Sequence, residues 1–253
     1  MPTATINGLS HHYEDQGSGT PLVMLHGAAG SGHYFAGVAG AIADDGLRVI
    51  VPDMRSMGQS EHVAEIPPSA WVDDVVGLLD HLGIDKAIIH GRSLGARVAL
   101  RFGIDHADRT LGCILDAPIV ANDPAGNAQL NVGFSADTMP EERKATAKLQ
   151  HGEDWQEVME NYFNIRNKPD LQSFYNLRES AKTCSVPVLI VRGDDIPDPV
   201  HPLDHAIELH KNIPDSRLAI YPNGGSSLTN ANPDIFRGLL KEFVGELTGV
   251  AAS

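Results

Sequence analysis

Residues Ala87-Ile88-Ile89-His90-Gly91-Arg92-Ser93-Leu94-Gly95-Ala96 decide how this chain reads. A short apolar run of strand type meets Gly-x-Ser-x-Gly, and a helical pattern runs on from Leu94 to about Ile104. A serine between strand and helix, flanked by two glycines, implies a sharp turn that lifts its hydroxyl above a sheet. Gly91 and Gly95 let the backbone pass closely, and the helix N-terminus at Leu94 offers an N–H to a developing negative charge. The pattern alone is common; its strand and helix context makes it informative.

Outward from this turn, strands and helices alternate. Pro21–Leu25 and Arg48–Asp53 precede it as strands, with an amphipathic helix from about Ser69 to Leu82. Gly112–Asp116, Val186–Val191 and Arg217–Tyr221 follow as strands, with helices around 205–210 and from 233 to about 247. Continuous apolar strands separated by helices predict an α/β fold whose mostly parallel sheet is covered on both faces. The alternation lapses between about 120 and 185, where polar helical segments carry Trp155, Tyr162, Phe163, Phe174 and Tyr175. We read residues 1–119 and 186–253 as the core and 120–185 as a helical cap over the carboxyl edge of the sheet.

Composition narrows the partners. The 253 residues carry 33 acidic and 19 basic side chains, a net charge of −14, which disfavours nucleic acid and anionic membranes. No apolar run approaches the ~18 residues of a membrane span. The N-terminus has neither the basic segment nor the apolar core of an export signal. Cys113 and Cys184 lie in apolar runs and read as buried thiols of a cytoplasmic protein. The expected partner is a small-molecule substrate, with no cofactor and no metal; the sequence is compatible with a homo-oligomer.

A second turn agrees with the first. Leu25-His26-Gly27-Ala28-Ala29-Gly30 ends a strand in glycines and can aim the Ala28 N–H at the charge that Leu94 faces. With the Pro52–Ser60 loop added, the chain resembles the α/β-hydrolase family with an inserted helical cap. The resemblance implies Ser93 as nucleophile and the Ala28 and Leu94 N–H groups as oxyanion hole. It makes His26 a shaper of its turn.

The resemblance also places an acid after the strand ending near Gly193. Asp198-Pro199-Val200-His201-Pro202 fits that motif, two residues late, so Asp198 is favoured, Asp195 second, and Asp116 a further candidate. Arg92, unusual beside the serine, is read as the ion-pair partner of Asp116, with a substrate carboxylate as its alternative partner.

The base is the difficulty. The family motif Pro-x-x-Gly-His aligns with Tyr221-Pro222-Asn223-Gly224-Gly225-Ser226, so Ser226 stands where the catalytic histidine belongs. Ser226 cannot act as a base near neutral pH. Among the twelve histidines, His33 ranks first as a substitute, because it lies just beyond the Ala28 turn. His201, within the acid loop, ranks below it, and His90 is a core residue. Three readings follow: a serine hydrolase of ester, lactone or C–C bonds with an incomplete triad; a lyase, cyclase or isomerase using the same cradle; and a non-catalytic ligand-binding descendant.

Overall fold

The computed structural model describes residues 2–135, 137–194 and 198–249. Eight strands form one sheet: β1 (Thr3–Ile6), β2 (Leu9–Gly17), β3 (Thr20–Leu25), β4 (Leu47–Pro52), β5 (Ala87–Arg92), β6 (Thr110–Asp116), β7 (Val188–Gly193) and β8 (Ser216–Tyr221). Their spatial order is β1-β2-β4-β3-β5-β6-β7-β8. β1 and β2 pair antiparallel at one edge, and β2 joins β4 antiparallel; every pairing from β4 through β8 is parallel.

The crossovers carry the helices α1 (Ala39–Asp44), α2 (Ala70–His81) and α3 (Leu94–Asp105). Between β6 and β7 come α4 (Pro124–Phe134), α5 (Glu141–His151), α6 (Trp155–Ile165) and α7 (Pro169–Phe174). α8 (Leu203–Asn212), α9 (Leu228–Ala231) and α10 (Pro233–Thr248) complete the chain.

Side chains of successive strand residues point to opposite faces, so the continuous apolar runs feed two core layers. Val23, Leu25, Ile89, Leu115 and Ile190 share one layer with Trp71, Val98, Phe102 and Leu209. Leu22, Met24, Ile88, Ile114 and Leu189 share the other with Phe35, Ile42, Phe236 and Leu240. Trp155, Phe163 and Phe174 of the 120–185 insertion are half-buried against the first layer. Phe134, Tyr162 and Tyr175 are buried in the first layer, which fixes the insertion to the core.

One buried histidine links that insertion to the strand ends. His151, at the end of α5, accepts from the Gly58 N–H at its Nδ1 (2.9 Å) and donates from Nε2 to Ala29 O (3.2 Å). Burial lowers its pKa to about 4. The surface setting suggested by its polar neighbours in sequence does not hold. His11 and His12 are likewise buried, His12 against Asp53 at 2.9 Å, where the sequence reads as a solvated edge.

Candidate active site

The turn at Ser93 has the geometry that its glycines imply. Ser93 sits at φ 56° and ψ −112°, a left-handed conformation that an ordinary residue holds only when its surroundings enforce it. A Cβ on Gly91 would lie 2.0 Å from Gly95 O, and one on Gly95 would lie 2.2 Å from Leu25 O. Neither contact is tolerable, so both positions require glycine. The Ser93 N–H donates to Asp116 O (3.0 Å) on the neighbouring strand, anchoring the turn to the sheet.

Ala28 and Leu94 line the same cavity as Ser93. No hydrogen bond occupies the N–H of either residue among the described residues, which leaves both donors available to a ligand. His26 lies beneath them, fully buried, donating from Nδ1 to Gly27 O (2.8 Å) and accepting the Met54 N–H at Nε2 (3.0 Å). Both ring nitrogens are used in shaping the turn, as expected.

The side chain facing Ser93 is His201. Its Nε2 lies 2.9 Å from Ser93 Oγ, and its Nδ1 lies 2.8 Å from Asp198 Oδ2. An ionised carboxylate only accepts, so Nδ1 carries the proton and Nε2 presents its lone pair to the serine hydroxyl. Asp198 Oδ1 in turn accepts the N–H groups of Val200 (2.9 Å) and His201 (3.1 Å). Burial works to raise the Asp198 carboxyl, but the His201 side chain and these backbone donors outweigh it and hold the acid well below its usual range. Burial also pushes the His201 imidazole below its ordinary value. The Asp198 hydrogen bond opposes that shift, and the charges of Arg92 and Arg192 add to it. The ring is therefore neutral at neutral pH.

This corrects the expectation of a triad left incomplete by Ser226. Ser226 is half-buried in the turn after β8, with no hydrogen bond to Ser93 or Asp198 among the described residues. His33 is exposed and lines a separate cleft with His12, Asp53 and His62. The imidazole arrives from the loop after β7, in the same short segment as the acid.

Arg192 holds that segment. It is the last side chain but one of β7, 1% exposed, and its guanidinium donates to Gly193 O (2.7 Å), Gly225 O (3.0 Å) and His201 O. One cation thus ties the acid loop to the turn that precedes Ser226. The sequence reading missed this residue and ranked His201 too low. The signals were present: an arginine in an apolar strand, and a histidine three residues after the acid in a proline-bounded loop.

Two other expectations change. Asp116 is fully buried, but its carboxylate accepts from Ser227 Oγ (2.6 Å), Thr229 Oγ1 (2.6 Å), Leu228 N (2.9 Å) and Thr229 N (3.1 Å). It caps the start of α9, and neither an imidazole nor the Arg92 guanidinium bonds to it among the described residues. No Arg92–Asp116 ion pair forms among the described residues. Instead the Arg92 guanidinium lies over the Tyr34 ring at 4.8 Å, in space that Gly27 leaves open by lacking a side chain. Asp195 lies outside the described residues. His90 is a buried core histidine, 3.2 Å from Thr229 Oγ1, as expected.

The insertion shares the lining of the cavity at Ser93: Leu130, Tyr162, Arg166, Leu171, Gln172 and Tyr175 line it together with Ala28, Ser93, Leu94 and Arg97. No group of three or more metal-ligating side chains occurs among the described residues. No described helix is long and apolar enough to cross a membrane.

Known proteins share this arrangement of elements. A 2-hydroxy-6-oxononadienedioate/2-hydroxy-6-oxononatrienedioate hydrolase of Comamonas testosteroni is 29% identical, covering 95% of this chain and 94% of its own. A 2-hydroxy-6-oxo-6-phenylhexa-2,4-dienoate hydrolase of Burkholderia cepacia matches to the same extent. Among solved structures, a meta-cleavage product hydrolase from Pseudomonas fluorescens IP01 superposes with a TM-score of 0.79 at 22% identity, over 97% of this chain and 98% of its own. The enol-lactonase from Burkholderia xenovorans LB400 gives 0.74 at 22% identity, over 96% and 99%. The family model described as alpha/beta hydrolase fold matches residues 20–151, from β3 through the Ser93 turn to the end of α5, and the chain belongs to that family.

Proposed function

We propose that this protein is a serine hydrolase acting on the carbonyl of a small organic molecule, an ester, a lactone or a ketone cleaved at its C–C bond. The observation that carries the reading is the continuous contact from Asp198 through His201 to Ser93, at 2.8 and 2.9 Å. Ser93 Oγ attacks the carbonyl as His201 Nε2 takes its proton, and Asp198 steadies the imidazolium that forms. The N–H groups of Leu94 and Ala28 receive the oxyanion. His201 then returns its proton to the departing oxygen or carbon, and water releases the acyl group by the same steps in reverse roles.

Cleavage of a C–C bond is favoured by the names of the full-length relatives, which are hydrolases of 2-hydroxy-6-oxo acids. Residues 120–185 act as a cap that selects the substrate, a role supported by their share of the cavity lining. The free buried thiols of Cys113 and Cys184 fit a cytoplasmic setting. The lyase, cyclase and binding-protein readings rested on a missing base, and His201 removes their motive.

The test is labelling by a fluorophosphonate together with turnover of an ester, lactone and vinylogous diketone panel. Labelling confined to Ser93, and lost in Ser93→Ala and His201→Gln, is expected. A wild-type protein that neither labels nor turns over any of the panel overturns the proposal.

A further inference from the structure

Arg97 lies one helical turn after Ser93 on α3 and is only 8% exposed. Its Nε donates to Ile119 O (2.9 Å). Nη2 is shut away from solvent with no partner at all, and no carboxylate lies within ion-pair distance among the described residues. Its titratable neighbours are the neutral hydroxyls of Tyr162 and Tyr175 and a second cation, Arg166. Burial lowers its pKa to about 10, which still leaves it charged at neutral pH.

An unpaired buried guanidinium is expensive, and a folded chain rarely keeps one without a partner. It also sits in the first turn of a helix, where the aligned peptide dipoles disfavour a cation. The Nε contact to Ile119 accounts for one of its five donors; the fork beyond it has no hydrogen-bond partner among the described residues.

The cavity as a whole repeats the pattern. Arg166, 4% exposed, also lines it, and its donors go to the neutral amide oxygens of Asn127 (2.9 Å) and Asn131, so its charge is not cancelled either. The Tyr175 hydroxyl, on the same wall, is buried and unpaired. Two cations and a free hydroxyl donor line one cavity in a protein whose net charge is −14. No acidic side chain lines it among the described residues.

We propose that the substrate carries a carboxylate on the arm beyond its reacting carbonyl, and that the Arg97 fork receives it, with Arg166 and Tyr175 completing the anion site. A planar two-oxygen anion matches the guanidinium fork. The proposal rests on the Ser93 hydrolase reading for the word substrate, and on the cavity alone for the anion site.

The experiment uses Ser93→Ala protein and calorimetric titration with monomethyl esters of dicarboxylic acids from succinic to suberic, each against the matching carboxamide. At the best chain length the acid should bind on the order of 10- to 100-fold tighter than the amide. Arg97→Gln should erase that preference and Arg97→Lys should keep part of it. Acids binding no better than amides throughout the series overturns the proposal, whether or not the Arg97 variants fold. A preference that persists in folded Arg97→Gln also overturns it. An acid preference in a protein whose wild type is not labelled at Ser93 supports the anion site and sinks the hydrolase reading.

Discussion

His201 and Asp198 stand three residues apart on one loop and meet Nδ1 to Oδ2 at 2.8 Å, while the far nitrogen of the same ring reaches Ser93 across 108 residues of chain. Base and acid thus move as one unit, anchored by Arg192 rather than by the turn after β8. The anchoring makes the first prediction. Arg192→Met should lower kcat by about 10- to 100-fold with little change in KM, because the ring is displaced while the cavity is kept. Removing a cation near His201 should also move the acid limb of the pH–rate profile upward. Arg192→Lys should recover part of both. Equal losses in kcat and stability with an unmoved profile would mark Arg192 as merely structural.

Ser226→His should not improve the enzyme. The imidazole that this position holds in the family is already supplied by His201, and a ring at 226 has no acid left to orient it. Steady-state turnover of an activated ester decides: a rise of about tenfold or more would show that His201 is not the working base. His201→Gln should lower kcat by roughly 10⁴-fold.

Activity should fall on the acid side through an apparent pKa below the ordinary histidine value. His201 must be neutral to take the serine proton, and burial holds its pKa down. The kcat/KM profile should be flat at neutral pH and decline only below about 6.5. A midpoint above 7 would contradict the electrostatics of the loop.

Stability should follow the same direction for a different reason. His90 and His151 are buried neutral, with pKa values lowered to about 4, so the unfolded chain binds more protons than the folded one as pH falls below about 6.5. The stability they contribute is complete above that value and is lost as pH falls through about 4, on the order of 3 kcal/mol for each. Urea melts between pH 7 and 4 should show the decline, and His151→Gln should flatten it. An unchanged slope in that variant refutes the assignment.

Gly95→Ala should be among the most damaging single-methyl additions in the chain. Its Cβ would fall 2.2 Å from Leu25 O, so β3 or the start of α3 must shift. We expect a loss on the order of 3 kcal/mol together with loss of Ser93 labelling. A normal Tm with full labelling would show that the turn is more pliant than this packing allows.

The sequence by itself determined the six parallel strands of the sheet and the nucleophile turn, but not the antiparallel pair β1 and β2 at its edge. Those depend on local regularities: apolar runs long enough to bury on both faces, and Gly91 and Gly95 around Ser93, where backbone crowding leaves no alternative residue. It also placed Asp198 in the acid loop. Tertiary structure decided which histidine serves Ser93, because reach across 108 residues depends on how the loop after β7 folds, and nothing local fixes that. The same holds for Asp116, whose carboxylate could pair with Arg92 or cap α9; the four donors of the α9 turn won because they converge on it from one short segment. Arg97 reads as one more polar residue on a helix until the insertion closes over it. Burial without a partner is a property of the packed molecule, and only there does a guanidinium become a binding site.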